Sequence, residues 1–499
     1  MTLSLTRRQA LLAGSATLLA GPARAAAPDD WGAAFRAALK DAPWLVGYVS
    51  APPRLDCAEL TIEGRWPAEL AGTFYRNGPA RHDVGELRYH HWFDGDGMIQ
   101  AFRIVDGRIA HRGRMVQTDK YRREIAAGRA LERTFGTALP ELAPPTSAAA
   151  VNVANINIIS HAGKLMALWE AADAYGIDPQ TLDTLGPVVW RDDLKGMPFS
   201  AHPRLEPDGT LWSFGYAPLA DLLVLYHIGA DGTLKAAKAL PVPDVGMVHD
   251  FMVTERHLVF LLPPITYDRD KVKAGLAFVD CYVWRPDRPA RVLVVDKNTL
   301  AITRRHELPA CFVFHYGNAF EEADGTIRFD CVRHPDPRVM TEATRYVMRG
   351  ESRPSAATAT MLVRLDPSGT TQTQMLTGGV EFPRVDPRRV GRRHARVWSA
   401  LLDSLAGAPS GGVIRWDLEG GTSDIHRFGP QTQVEEHVYV PRPGGAEGEG
   451  WLLGTHLDTK AGVTRLAVFD ALKLAAGPLA VASLPYALPL GLHGSFVPA

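Results

Sequence analysis

Apolar positions along this chain cluster in short runs, and each run is closed by turn-forming residues. Such closures fall at Asp106-Gly107, Asp178-Pro179, Asp208-Gly209, Asp231-Gly232, Asp324-Gly325, Asp366-Pro367 and Gly420-Gly421. Two of the junctions repeat one order of residue types: an apolar residue, an acid, a turn, then a threonine opening the next run. They are Val295-Asp296-Lys297-Asn298-Thr299-Leu300 and Leu365-Asp366-Pro367-Ser368-Gly369-Thr370. Apolar runs bounded in this way predict strands joined as hairpins. Helical spacing stands out in Asp30–Asp41, where Trp31, Phe35 and Leu39 lie four apart on the face of an amphipathic helix. A second helix is predicted over Tyr121–Thr134. Hairpins repeated without alternating helices, and without a Pro/Gly/Ser-rich linker after residue 60, predict an all-β chain whose residues 28–499 form one β-propeller domain. Blades packed around an axis protect their own strand edges. The competing arrangement is two or three β-sandwich domains. Pro441–Gly450 reads as a surface loop.

Charge and cysteine content narrow the partners. Lys+Arg 54 against Asp+Glu 55 leaves a formal charge of −1. That balance lacks the basic excess a phosphate backbone requires, so nucleic acid is excluded. The four cysteines, Cys57, Cys281, Cys311 and Cys331, include no CxxC pair, which argues against a disulfide framework and thiolate zinc. At the start of the chain Thr6-Arg7-Arg8-Gln9 precedes the uncharged stretch Ala10–Ala20, followed by small residues at Ala23 and Ala25. This is the layout of an export signal over residues 1–27. The paired arginines predict the twin-arginine route, a mature chain starting near Ala26 and a periplasmic location. The apolar stretch falls short of the roughly 20 residues that cross a bilayer.

Of the 17 histidines, four are set among apolar or small residues. His202 lies in Phe199-Ser200-Ala201-His202-Pro203 and His249 in Met247-Val248-His249-Asp250-Phe251. His315 lies in Phe312-Val313-Phe314-His315-Tyr316 and His493 in Gly491-Leu492-His493-Gly494. A propeller brings such distant strand ends together at its axis. Imidazole suits Zn, Cu, Fe and Ni. A site made only of imidazoles leaves a dication's charge uncompensated, and carboxylates behind the rings both offset it and fix the tautomers. Glu170, Glu381 and Glu436 sit in strand-like apolar surroundings, where a buried carboxylate needs a partner. A solvent-facing strand position is the alternative for each glutamate, and ordinary packing for any single histidine. Asp94-Gly95-Asp96-Gly97 has the look of a calcium-loop fragment but lacks the remaining ligands and reads as a tight turn. The six arginines from Arg384 to Arg396 read as a solvated loop in preference to a site for lipid phosphate. Leu219–Leu225 and Leu261–Ile265 are candidates for a membrane-facing patch, with buried strand as the alternative.

Taken together, these motifs resemble the carotenoid cleavage oxygenase family. The likeness runs from about Trp44 to Val497 through Gly72-Thr73-Phe74-Tyr75-Arg76-Asn77-Gly78-Pro79, His91-Trp92-Phe93-Asp94-Gly95-Asp96-Gly97-Met98, the four histidine contexts and Leu492-His493-Gly494. The resemblance implies a seven-bladed β-propeller with short helices and loops capping an axial Fe(II). It implies His202, His249, His315 and His493 as ligands and Glu170, Glu381 and Glu436 behind three of them, with His202 the ring that lacks one. Glu436 is taken over the adjacent Glu435 by its Glu-x-x-Tyr-Val context. The implied reaction uses O2 to split a conjugated double bond of a carotenoid or apocarotenoid into two carbonyl products, with no obligatory side-chain nucleophile or base. A lignostilbene-type dioxygenase is the alternative within the family, with Lys120-Tyr121 as candidate phenol contacts; the block from His91 to Asp96 favours the carotenoid branch. A carotenoid carrier is the non-enzymatic alternative, and the retained His and Glu sets argue against it. Trp92, Phe93, Phe251, Phe312 and Phe314 are candidate tunnel aromatics. A polyene partitions into membranes, so peripheral membrane contact is expected.

Overall fold

The acid that precedes each turn has a mechanical role in the structure. Asp208, Asp231, Asp296, Asp324 and Asp366 each accept, through one carboxylate oxygen, the backbone N–H two residues on, at 2.9–3.0 Å. The carboxylate adds a side-chain bond to turns that backbone carbonyls also close, which is why Asp recurs there. The computed structural model describes residues 30–402 and 410–499; the predicted export signal lies outside them. Strand makes up 45% and helix 13%, so the chain is mostly β, and among the described residues no helix is long and apolar enough to cross a membrane.

The hairpins build successive antiparallel sheets in chain order. Four-stranded sheets use strands within residues 157–187, 204–241, 252–308 and 312–378. A nine-stranded sheet runs from Val380–Arg384 to Ala480–Ser483 and adds Thr61–Gly64 at its edge. Within it a single parallel residue pair, Ser410 with Thr432, joins its two halves. The C-terminal strand His493–Pro498 returns to the start of the chain and pairs with Gly72–Arg81, in register from Asn77–His493 to Gly72–Pro498. The last strand is thereby laced to an early one, and the early strand Thr61–Gly64 to the last sheet.

Side-chain alternation decides how the sheets stack. In the strand His257–Leu262, Leu258, Phe260 and Leu262 face a core shared with Phe214, Leu223 and Leu225 of the preceding sheet. Val259 and Leu261 face the opposite core, shared with Val313, Phe329 and Val363 of the following sheet. Successive residues point to opposite faces, so a sheet covered on both sides must be apolar at every position. This accounts for the unbroken apolar runs Leu258–Leu262 and Val292–Val295. It also corrects the membrane-facing candidates: Leu223, Leu225, Leu261, Leu262 and Ile265 are buried strand core.

The first helix forms as expected, over Trp31–Asp41, with Phe35 buried. Phe35 lies under the buried Arg88 guanidinium at 3.5 Å. The second is shorter than predicted and spans Asp119–Ala127. Thr118 caps it by accepting the Tyr121 N–H, and Gly128 ends it in the left-handed conformation, a stop that glycine makes at no steric cost. The segment beyond Gly128 departs from the helix, and Glu132 bridges to Ala143. Asp94-Gly95-Asp96-Gly97 is a turn into the strand Asp96–Val105. Its two carboxylates are committed, Asp94 to Gly136 N–H and the Thr137 hydroxyl, Asp96 to Arg81 and Lys120. The arginines from 384 to 396 each have a carboxylate within 4.0 Å, consistent with a structural loop.

Gly78 marks how tightly the chain ends are laced. A Cβ there would lie 2.4 Å from the Cα of Gly491, and neither backbone can retreat without breaking the closing strand pair. Gly78→Ala is expected to cost about 1–3 kcal/mol, read as a lowered midpoint in chemical denaturation; an unchanged midpoint would show that the closure is loose.

Candidate metal centre

Four edge strands supply the centre. His202 and His249 lie in the turns entering Arg204–Leu205 and Met252–Val253; His315 lies within Phe312–Glu321 and His493 opens His493–Pro498. Each of these strands is the terminal one of its sheet. Three of the residues behind and within the centre coincide with breaks in strand register. Pairing shifts between Val313 and Tyr316, between Glu381 and Arg384, and between Val434 and His437. Such bulges turn a side chain off its regular face and aim His315, Glu381 and Glu436 where ideal strands would not.

One ring nitrogen from each of His202, His249, His315 and His493 lies within 4.8 Å of the other three. Glu170 Oε2 meets His249 Nδ1 at 2.7 Å, Glu381 Oε2 meets His315 Nδ1 at 2.6 Å, and Glu436 Oε1 meets His493 Nδ1 at 2.8 Å. An ionised carboxylate only accepts, so each Nδ1 carries the proton and each Nε2 keeps its lone pair. His202 has no carboxylate partner among the described residues; its Nε2 lies 3.0 Å from that of His249. The buried Nε2 of His315 has no hydrogen-bond partner among the described residues. An orphaned lone pair among three neighbouring imidazoles fits a metal that prefers nitrogen donors.

Further partners lock the carboxylates. Glu381 Oε1 takes the Nε2 of buried His334 at 2.8 Å. Arg384 grips both oxygens of Glu436 at 2.8–2.9 Å, and Gly494 N–H adds a third bond. Tyr216 donates to Glu170 Oε1 at 3.0 Å. Burial alone would raise the Glu381 and Glu436 carboxyls, but the imidazoles around Glu381 and Arg384 with His493 at Glu436 hold both well below the ordinary range. Burial holds His493 down at about 3 despite Glu436, and burial with the neighbouring rings lowers His202. Glu435 lies outside the centre and pairs with Arg76 at 3.1 Å.

A cavity of about 370 Å³ opens onto three of the rings, His249, His315 and His493. Its wall is mostly apolar: Phe93, Phe135, Trp169, Leu219, Phe314 and Phe382 contribute. Of the aromatics singled out in the sequence, Trp92, Phe93 and Phe314 line it. Phe251 packs in the core between sheets, and Phe312 packs beside Phe314 and behind the lining. Lys120 and Tyr121 do not line it. Lys120 is buried against Asp96 and Glu124 at 3.0 Å each, and Tyr121 packs under Arg81, so neither is placed to meet a phenol in the cavity. Sequence reasoning missed His334 and Tyr216, which nothing in their local context distinguishes, and Arg384, which was visible only as part of a basic run.

The family model described as retinal pigment epithelial membrane protein matches residues 50–498. The chain belongs to the carotenoid cleavage oxygenase family. Among its relatives in that family, apocarotenoid-15,15'-oxygenase of Synechocystis sp. is 33% identical over 486 residues, covering 91% of this chain and 96% of the relative. Lignostilbene-alpha,beta-dioxygenase isozyme III of Sphingomonas paucimobilis is 32% identical, covering 89% and 94%. The crystal structure of cobalt-substituted Synechocystis ACO matches with a TM-score of 0.82 at 30% identity, over 92% of this chain and 98% of that one. The chain is an enzyme of the same dioxygenase class.

The protonation pattern has a measurable consequence. His202 and His493 are depressed below the unfolded histidine value of about 6.5, so unfolding at lower pH takes up protons there. Their contribution to the stability of metal-free protein is complete above that value and is lost as pH falls toward about 3 for His493. Glu381 and Glu436, also depressed, add a second loss below the unfolded carboxyl value of about 4.3. Denaturation midpoints are expected to hold level above about pH 7 and to decline below about 6.5. A midpoint that stays level down to about pH 5 would contradict neutral, buried rings.

Proposed function

We propose that this protein is a non-haem Fe(II) dioxygenase that cleaves a conjugated carbon–carbon double bond of a carotenoid or apocarotenoid into two carbonyl products. The observation that carries the reading is the cluster of four imidazoles, three of them with carboxylate-fixed inward lone pairs and facing an apolar cavity. His202, His249, His315 and His493 would hold the iron. Glu170, Glu381 and Glu436 would keep three of those rings in the metal-binding tautomer. Iron(II), when bound, supplies the electrons that let O2 react with a closed-shell polyene. The chain itself contributes orientation and exclusion. The carboxylates hold the Nδ1 protons, and the aromatic wall excludes water and fixes which bond of a long conjugated chain lies over the rings.

A seven-bladed propeller is the architecture that best accommodates these sheets. Dividing the nine-stranded sheet at its lone parallel pair yields seven antiparallel units of four or five strands, beside two two-stranded hairpins; the four histidines would lie on inner edges, and the pairing of His493–Pro498 with Gly72–Arg81 would close the ring. Apolar lining, and the burial of Lys120 and Tyr121 away from it, favour a polyene over a phenolic stilbene. Exposed Leu276 and Phe278 at the cavity suit contact with the membrane that holds such a substrate. Residues 1–27 would direct the protein to the periplasm, and N-terminal sequencing of exported protein should begin near Ala26.

The decisive experiment incubates iron-loaded protein with a panel of carotenoids and apocarotenoids under labelled O2 and identifies products by mass spectrometry. Two carbonyl fragments are expected. His249→Ala should retain little iron and yield no product; an iron-replete, active His249→Ala protein would break the ligand assignment. Turnover of stilbenes with no polyene cleaved would move the substrate class.

A further inference from the structure

Tyr216 and Tyr282 stand together on the cavity wall. The Tyr216 proton is committed to Glu170 Oε1 at 3.0 Å, while its oxygen remains able to accept. The nearest partner of the Tyr282 hydroxyl is that oxygen, at 3.5 Å, beyond the 2.5–3.0 Å of a well-made O–H···O bond. Tyr282 is 9% exposed, so its hydroxyl has also left bulk water. Several polar groups in the lining are engaged: Asp94 by Gly136 and Thr137, the Asn155 amide nitrogen by two backbone carbonyls, Glu381 by two imidazoles, whereas the buried Tyr267 hydroxyl, Thr134 Oγ1 and Trp92 Nε1 have no hydrogen-bond partner among the described residues. Tyr282 differs from these in standing beside an oxygen able to accept, that of Tyr216, so the two hydroxyls offer a donor and an acceptor side by side. Such a pair is unfavourable in the empty protein and favourable once an oxygen fills it.

We propose that Tyr282, with the Tyr216 oxygen behind it, binds a hydroxyl or carbonyl oxygen on the substrate and so sets which double bond is cut. This inference rests on the dioxygenase reading above. A hydroxyl would accept from Tyr282 and donate to Tyr216; a carbonyl would accept from Tyr282 alone. Only the Glu170 carboxylate separates the subsite from His249, with legs of 3.0 and 2.7 Å. The anchored oxygen thus lies close to the metal centre and fixes the register of a rod-like substrate. Both an oxygenated polyene end and a stilbene phenol offer this chemistry.

The test compares matched pairs on iron-loaded protein: an apocarotenol or apocarotenal against the hydrocarbon polyene of equal length, and 4-hydroxystilbene against stilbene. In wild type the oxygenated member of at least one pair is expected to have a kcat/KM about tenfold higher, the worth of one good hydrogen bond, and the pair that shows it identifies the source. Tyr282→Phe should bring that ratio near one and spread cleavage over neighbouring bonds. A general loss of stability cancels from the ratio, and the wild-type comparison stands without the variant. Equal turnover within both pairs by wild type, or an unchanged ratio and product pattern in Tyr282→Phe, overturns the inference and leaves the dioxygenase reading intact. Iron-replete wild type that cleaves no conjugated substrate overturns that reading and this inference with it.

Discussion

Four imidazoles can share one buried point only if their protons are kept out of it. Three carboxylates achieve this by accepting the Nδ1 protons of His249, His315 and His493, at 2.6–2.8 Å. Without them each ring could turn a donor inward, and the cluster would satisfy itself as a hydrogen-bonded knot. With them three lone pairs converge, and convergence of lone pairs is repulsive until a cation arrives. His202 is the exception that makes the metal-free state tolerable. No carboxylate fixes its tautomer, so its Nε2 can carry a proton and donate across the 3.0 Å gap to His249, then release that position to a metal by moving the proton to Nδ1. One adjustable ring among three fixed ones combines preorganisation with a stable empty form.

The fold is organised around delivering those rings. Sheets buried on both faces stack through alternate residues of single strands, as His257–Leu262 does between two cores, and their edge strands are left pointing at a common centre. Regular strands would still misplace the side chains by alternation alone. The register breaks at Val313–Tyr316, Glu381–Arg384 and Val434–His437 correct the aim at the expense of ladder bonds. The return of His493–Pro498 to the first sheet puts the fourth histidine on the strand that pairs with Gly72–Arg81, so this pairing and the histidine cluster depend on the same strand.

Much of this was legible in the amino acids, and the illegible part has physical causes. Turn chemistry is local, so Asp296 and Asp366 announced their hairpins. Histidines and glutamates in apolar runs announced themselves because burial of such groups demands a partner. The second helix was extended too far because the residues after Gly128 remain compatible with a helix, and the stop depends on one glycine adopting the left-handed form. Lys120 looked like a recognition residue because nothing local reveals that Asp96, 24 positions earlier, faces it. The runs at Leu223 and Leu261 looked like surface patches because a strand covered on both sides and a membrane-facing segment have the same composition. His334 and Tyr216 acquire meaning only through the carboxylates they touch, which lie across sheet boundaries.

The charges nearest the centre decide what oxidation state it accommodates. Glu170, Glu381 and Glu436 bring three negative charges, and the Arg384 guanidinium bound to Glu436 returns one positive charge. Neutral imidazoles add nothing. A dication therefore brings this buried assembly to formal neutrality, whereas a trication would leave it positive beside an apolar wall that cannot solvate the excess. Arg384 is thus more than a clamp on one glutamate. By cancelling one carboxylate it sets the balance at two, the charge of a divalent metal ion among neutral imidazoles.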